Sequence, residues 1–261
     1  GYRSACFGLT GTAAHPLLFA HPECANILIA TTPLSSFIQS RFAPVADWRR
    51  VIGRILGFLS GDDAILPVEF SPSVHPTYAA SEPLPEQFEL RAFKRNAEWF
   101  YREMLFNHHG KLGVFEGYRS VIDVTGRQWL MPKMRGDCMG ECAAVGALDA
   151  VLHEEAAGRE MADGLLKTLF TTSLLLDDNP ASQTYGSLFF DENLNSVYGD
   201  DNSRAALGAV LAGELLADER YAESVLRLAY SLWRTTGENG LREPSLFQPR
   251  SFTEGRTWKY Y

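Results

Sequence analysis

The chain has 261 residues, 46% of them apolar and 21% charged, an ordinary globular composition long enough for one large domain or two smaller ones with a sizeable core. A net charge of −8 with no Lys/Arg stripe argues against nucleic acid as a partner, because binding it needs a concentrated basic face. The longest apolar runs, such as ALGAVLAG and LFTTSLLL, fall far below the roughly 20 residues that cross a bilayer, so no membrane partner is expected.

The first stretch, GYRSACFGLTG, reads as strand and carries neither an initiator Met nor a secretory leader, so the chain reads as a fragment or a mature piece and the compartment stays open. CANILIATT is a short β-rich apolar run bounded by turn residues. DWRRVIGRILGFLSG has apolar residues at helical spacing, with Asp at its start and Gly after its end. Residues 1–61 therefore predict an α/β segment. Residues 62–88 are Pro-rich and predict an extended connector. The four cysteines (Cys6, Cys24, Cys138, Cys142) form no small-domain disulfide framework. Cys138 and Cys142 lack the second pair that zinc needs, so free buried thiols and no metal or cofactor are expected. His108 and His109 are adjacent and would point apart on a helix, which also argues against a metal.

From 89 to 261 the pattern is helical, with helices predicted near 89–106, 138–156, 159–177, 202–217 and 220–235. The first, third and fifth are amphipathic and predict an outer layer. The second and fourth, ECAAVGALDAVLH and SRAALGAVLAGELLA, are small and apolar almost all round, as helices enclosed by neighbours are. Outer-to-inner connections are long (107–137, 178–201, 236–256). Inner-to-outer connections are two or three residues, which forces antiparallel neighbours. If the inner helices run parallel, the long loops meet at their N-termini.

This alternation, with RGDCMGECAA and YGDDNSRAAL opening successive inner helices and GVFEGYRSVIDVTGRQ before the first, resembles the α/α-toroid of six-hairpin glycosidases. The resemblance implies a mainly α fold, a partial toroid preceded by a small N-terminal α/β segment, and activity on carbohydrate; related toroids also serve lyases, epimerases and non-sugar enzymes. A complete toroid has six hairpins and this chain supplies about two and a half. Either residues outside it, in the remainder of the toroid or in a second chain, close the barrel, or the toroid is open. NILIATTPLSSFIQSRFAPVADWRRVIGRILGFL is similar to the closing strand and helix of class I glutamine-amidotransferase-like domains. The Cys nucleophile elbow of those enzymes is absent, so their activity is not implied.

Hydrolysis of a glycosidic bond typically uses two carboxyl groups facing one linkage. Asp137 and Glu141 are spaced i,i+4 and share a helix face; Asp200 and Asp201 open the next inner helix. These four are the candidate catalytic acids, each also readable as a helix cap or a structural ion-pair member, with Asp201 the expected cap of its helix. Arg135, Arg204, Asn202 and Glu116 are candidate substrate-binding residues; Gly113 and Gly117 permit a turn that brings Glu116 inward, with Asp123 nearby. Sugars pack their C–H faces on flat rings. Tyr118, Trp129 and Tyr198 are therefore candidate binding aromatics, and Tyr185, Phe189 and Phe190 lie in the same long loops. The preferred reading is a carbohydrate-active hydrolase. A non-catalytic glycan-binding or scaffold module, or a lyase using Tyr118 or Tyr198 as acid or base, are the alternatives.

Overall fold

The computed structural model describes residues 17–31, 34, 45–62, 64–70, 77–79, 81–122, 127–173, 175–191, 196–237, 239–242 and 245–247; Cys6 and Asp123 lie outside them. The described part is mainly helical, and none of its helices is long and apolar enough to cross a membrane. The chain divides into two compact units, residues 1–82 with 119–129 and residues 83–118 with 130–261.

In the first unit, β1 (Leu18–Ala20) and β2 (Leu28–Ala30) form an antiparallel pair. Helix α1 (Val45–Ser60) has the extended stretch 64–70 running back along it. Gly53 and Gly57 make that approach fit: a Cβ on Gly53 would stand 2.3 Å from the Leu66 carbonyl oxygen, and one on Gly57 2.1 Å from that of Ala64. The Leu66 amide donates to the Gly53 carbonyl at 3.1 Å and Arg49 donates to the Phe70 carbonyl at 2.9 Å. Cys24 is exposed, not buried as expected, because it lies in the short connection between β1 and β2.

In the second unit, α2 (Phe88–Trp99) passes into a π-helical turn, Phe100–Met104. The helix expected to reach residue 106 stops there because β3 (Leu105–His108) pairs antiparallel with β4 (Lys111–Val114). The two-residue turn between them, His109 (φ 51°) and Gly110 (φ 78°), has both residues left-handed, the form whose twist suits a tight hairpin. His108 and His109 are thus not helical, and their ring centroids lie 4.2 Å apart. After β5 (Gly117–Ile122) and β6 (Gln128–Met131), whose residues 119–129 belong to the first unit, comes α3 (Gly136–Leu152), then α4 (Ala156–Lys167), which ends in a second π turn, Thr168–Thr172, short of the expected residue 177. Strand β7 (Ser196–Tyr198) leads directly into α5 (Gly199–Leu216), α6 is Ala222–Arg234, and β8 (Ser245–Phe247) pairs antiparallel with β7.

The inner helices α3 and α5 start together and run in the same sense, since Arg135 and Asp137 meet Asp201 and Arg204, and Gly140 meets Ala205 and Gly208. Their backbones nearly touch. A Cβ on Gly208 would lie 2.3 Å from the Gly140 carbonyl carbon and oxygen. On its other side α3 crosses α4 glycine against glycine, a Cβ on Gly146 standing 2.6 Å from the Gly158 oxygen. This close approach on two faces is the physical reason for the small, apolar composition of α3. Met104, Val114, Met139, Leu165, Leu169, Leu188 and Leu228 fill the core around it.

The expected enclosure of α5 is one-sided. Ala205, Gly208, Ala209 and Ala212 are buried, whereas Leu207 is 70% exposed and Val210 and Leu211 are about half exposed. Helix α6 buries Val225, Leu228 and Ser231 and turns Leu226, Tyr230 and Trp233 outward, because that second stripe sits about 100° further round.

Candidate functional site

The three long connections meet where α3 and α5 begin. Residues 107–135 supply Glu116 and Arg135, residues 178–198 supply Leu188, Phe190 and Tyr198, and the segment after α6 supplies Arg242. Both helices open with Gly-Asp, and in both the glycine lets a loop close on the helix mouth. A Cβ on Gly136 would stand 2.9 Å from a Leu188 methyl, and one on Gly199 2.8 Å from Arg242 Nε.

The expected capping role of the aspartates is not what the structure holds. The N-cap positions are Arg135 and Tyr198, both extended, and neither helix has a side-chain cap. Asp137 and Asp201, two and three residues further in, face arginines instead. Arg135 Nη1 donates to Glu116 Oε1 at 3.0 Å, and its Nη2 donates to Asp137 Oδ2 at 3.1 Å and to Asp201 Oδ1 at 2.7 Å. Arg204 forms a two-point pair with Glu141 (Nε to Oε1 2.7 Å, Nη2 to Oε2 2.8 Å), and its Nη1 lies 3.1 Å from Asp137 Oδ2. Two guanidinium groups therefore serve four carboxylates.

The burial of this cluster has a local consequence. Asp201 is 6% exposed; burial, reinforced by the neighbouring Asp137 carboxylate and only partly opposed by Arg135, pushes its carboxyl up from 3.8 to about 6. Asp137 is 1% exposed. One oxygen of each acid, Asp137 Oδ1 and Asp201 Oδ2, is buried without a hydrogen-bond partner, as are Arg135 Nε and Arg242 Nε. Because Arg135 Nη2 holds both acids, the two bonded oxygens are no further apart than those bonds laid end to end, at most roughly 6 Å.

Other expected residues divide sharply. Glu141 is half-buried and Arg204 exposed at the edge of the cluster, and Asp200 is exposed with no hydrogen bond or ion pair among the described residues. Asn202 is completely buried, its amide donating to the Leu188 and Tyr198 carbonyls (2.9 and 2.8 Å) and its oxygen accepting from the Leu188 amide (2.7 Å). With both N–H groups used, it straps the loop to α5 and offers no donor to a substrate. Tyr118 packs at 6.0 Å on Trp99 as part of the core margin. Trp129 belongs to the first unit and is 63% exposed. Tyr198 lies 5.0 Å from Phe190, whose ring in turn underlies the Arg135 guanidinium at 4.7 Å and the Lys133 ammonium at 5.4 Å.

Phe190 is the ring in contact with the cluster, and its sequence signal was only membership of a long loop. Arg242 had no signal at all. Burial is the leading influence on its guanidinium and lowers its proton affinity, while Asp200 opposes that. Cys138 and Cys142 are free, and burial pushes both thiols up to about 12. Among the described residues no group of His, Cys, Asp and Glu has the arrangement of a metal site. Comparison with protein-family models, with curated proteins and with solved structures finds no match.

Proposed function

We propose that the second unit is the acid-bearing part of a carbohydrate-active hydrolase with an α/α-toroid architecture, cleaving a glycosidic bond by paired-carboxylate catalysis. The carrying observation is the pairing of Asp201, a carboxyl whose proton affinity is raised to about 6, with Asp137, which shares the same Arg135 nitrogen and so lies at most roughly 6 Å away. Asp201 is the proton donor to the leaving oxygen and Asp137 the second acid of the pair. Glu116 and Arg135 hold sugar hydroxyls, with Phe190 beneath, and Glu141, Arg204 and Asp200 form the exposed edge. Substrate reaches the acids only when the Arg135 side chain swings aside, exchanging its carboxylate bonds for bonds to the sugar.

The toroid reading is supported by the matched starts of α3 and α5. Aligning Gly136 on Gly199 puts Asp200 and Ser203 where Asp137 and Gly140 contact α5, and continues that face with the exposed Leu207 and Leu211. A further inner helix, from the remainder of the toroid or a second chain, stacks there.

The test is release of reducing ends from a panel of oligo- and polysaccharides by the intact chain and by Asp201→Asn. Turnover in the parent and its loss in the folded variant supports the assignment; equal turnover in both removes it. The near-complete burial of Asp137 favours a second reading, a non-catalytic glycan-binding or scaffold module in which the cluster clamps α3 to α5. Saturable glycan binding without product identifies that case.

A further inference from the structure

A separate cavity of about 310 Å³ lies among the β3–β4 hairpin, the segment before α3 and the π turn that ends α4. Phe106, Phe115, Pro132 and Met134 make its apolar wall, and the exposed His108 and Lys111 border it. Phe115 and Met134 directly precede Glu116 and Arg135 in the chain, yet none of the residues of the acid–arginine cluster lines it.

Three features make this a formed site. The Phe106 ring lies flat over Gly113, where a Cβ would come within 2.3 Å of Phe106 Cζ, and it stacks on Phe115 at 4.5 Å, so the aromatic wall is fixed. The Ser173 hydroxyl donates to the Leu169 carbonyl at 2.9 Å and that of Thr172 to Thr168 at 3.4 Å, turning these donors back onto their own helix. Lys111 Nζ donates to the Thr172 carbonyl at 2.8 Å, which anchors the ammonium at the edge while leaving two of its three N–H groups. π turns recur where helices border functional sites.

The charge pattern selects the ligand. In a chain with 32 acidic and 24 basic residues, the lining contains no carboxylate, one lysine and one histidine. The volume is at the lower end of small-molecule pockets, which pair an apolar surface with a few polar anchors. We propose that this cavity binds a small ligand with a flat apolar body and one anionic group, an aromatic carboxylate being the simplest case, with the ring against Phe106 and Phe115 and the anion at Lys111.

Benzoate is the probe, and benzamide, of the same shape without the charge, is its control. Titration of the whole chain followed by NMR chemical shifts of the Phe106–Phe115 hairpin should give saturable binding of both, with benzoate about fivefold tighter, the upper range for one exposed charge pair. Lys111→Met should equalise the two probes and Lys111→Glu should reverse their order; because Lys111 is exposed, unchanged thermal melting is expected in both variants. Failure of both probes to saturate overturns the site. Equal affinity for the two probes in the parent, or benzoate binding indifferent to Lys111→Glu, overturns the anionic class.

Discussion

Replacing Asp201 with Asn tests the electrostatics of the cluster by the sign of its effect. The folded state holds the Asp201 proton more tightly than the unfolded chain does, from 3.8 to about 6. Below pH 4 the group is protonated in both states and contributes nothing. As pH rises through the window from about 4 to about 6 the unfolded chain releases its proton first, so folding loses stability, by about 2–3 kcal/mol at neutral pH for a rise of that size. Asp201→Asn removes that loss and keeps an oxygen to accept from Arg135 Nη2, and the attraction of Arg135 for the ionised form is already contained in the raised value. The expectation at pH 7.5 is a variant about 2–3 kcal/mol more stable, a rise of about 4–12 °C in Tm for a protein of this size. The advantage should disappear below pH 4. Thermal melts of parent and variant between pH 3.5 and 8 read this directly. A variant less stable than the parent at pH 7.5 would mean that the ionised Asp201 is a net stabilising partner of Arg135, and the assignment of a retained proton would fall.

Arg135→Met leaves Glu116, Asp137 and Asp201 facing one another with their shared cation gone, so urea unfolding should show a loss of about 3–5 kcal/mol, partly recovered in Arg135→Lys. Gly208→Ala places a methyl 2.3 Å from Gly140 backbone atoms, whereas in Gly213→Ala the nearest atom is the Asp218 oxygen at 3.1 Å; the first should cost about 1–3 kcal/mol, the second should stay within about 1 kcal/mol, and equal effects would dissolve the α3–α5 contact as an explanation. Peptide mapping after brief iodoacetamide treatment at pH 8 should find Cys24 modified and Cys138 and Cys142 intact, since burial holds the latter two thiols near 12; modification of Cys142 as fast as Cys24 would contradict the packing of α3.

The parts of the fold that could be read from the sequence are those governed by periodicity. The small-residue runs mark α3 and α5 because backbone-to-backbone approach at Gly140, Gly146 and Gly208 admits nothing larger. The amphipathic run at 220–235 yields α6, but two apolar stripes compete on that helix, and the smaller residues Val225, Leu228 and Ser231 are the buried set while Tyr230 and Trp233 face outward. Aromatic size alone pointed the other way. The π turns have no local signature: Phe100–Met104 continues a good helical pattern, and the pairing of β3 with β4 cuts it off. At the site, residue types near the helix starts were legible and their partners were not. Asp201 and Asn202 are neighbours, yet one meets Arg135 across the helix pair and the other straps Leu188. Those fates follow from side-chain direction on α5 and from loop paths that spacing does not encode.

The same geometry explains why the acids cluster at these helix mouths without capping them. An aspartate at an N-cap accepts bonds from its own helix and serves that helix alone. Set two and three positions further in, behind a glycine that lets a loop descend, Asp137 and Asp201 project sideways and can share Arg135, the residue immediately before α3. The helix N-termini favour their negative charge, while burial and their mutual repulsion oppose it. Burial is the larger part of that opposition, reinforced by Asp137 and only partly offset by Arg135, and it falls on Asp201, the acid whose proton affinity is raised toward neutrality. A cluster made only to join two helices would be steadier with matched charges. A raised proton affinity is what a proton-donating acid requires, and it is what favours the proposed hydrolase over a purely structural clamp.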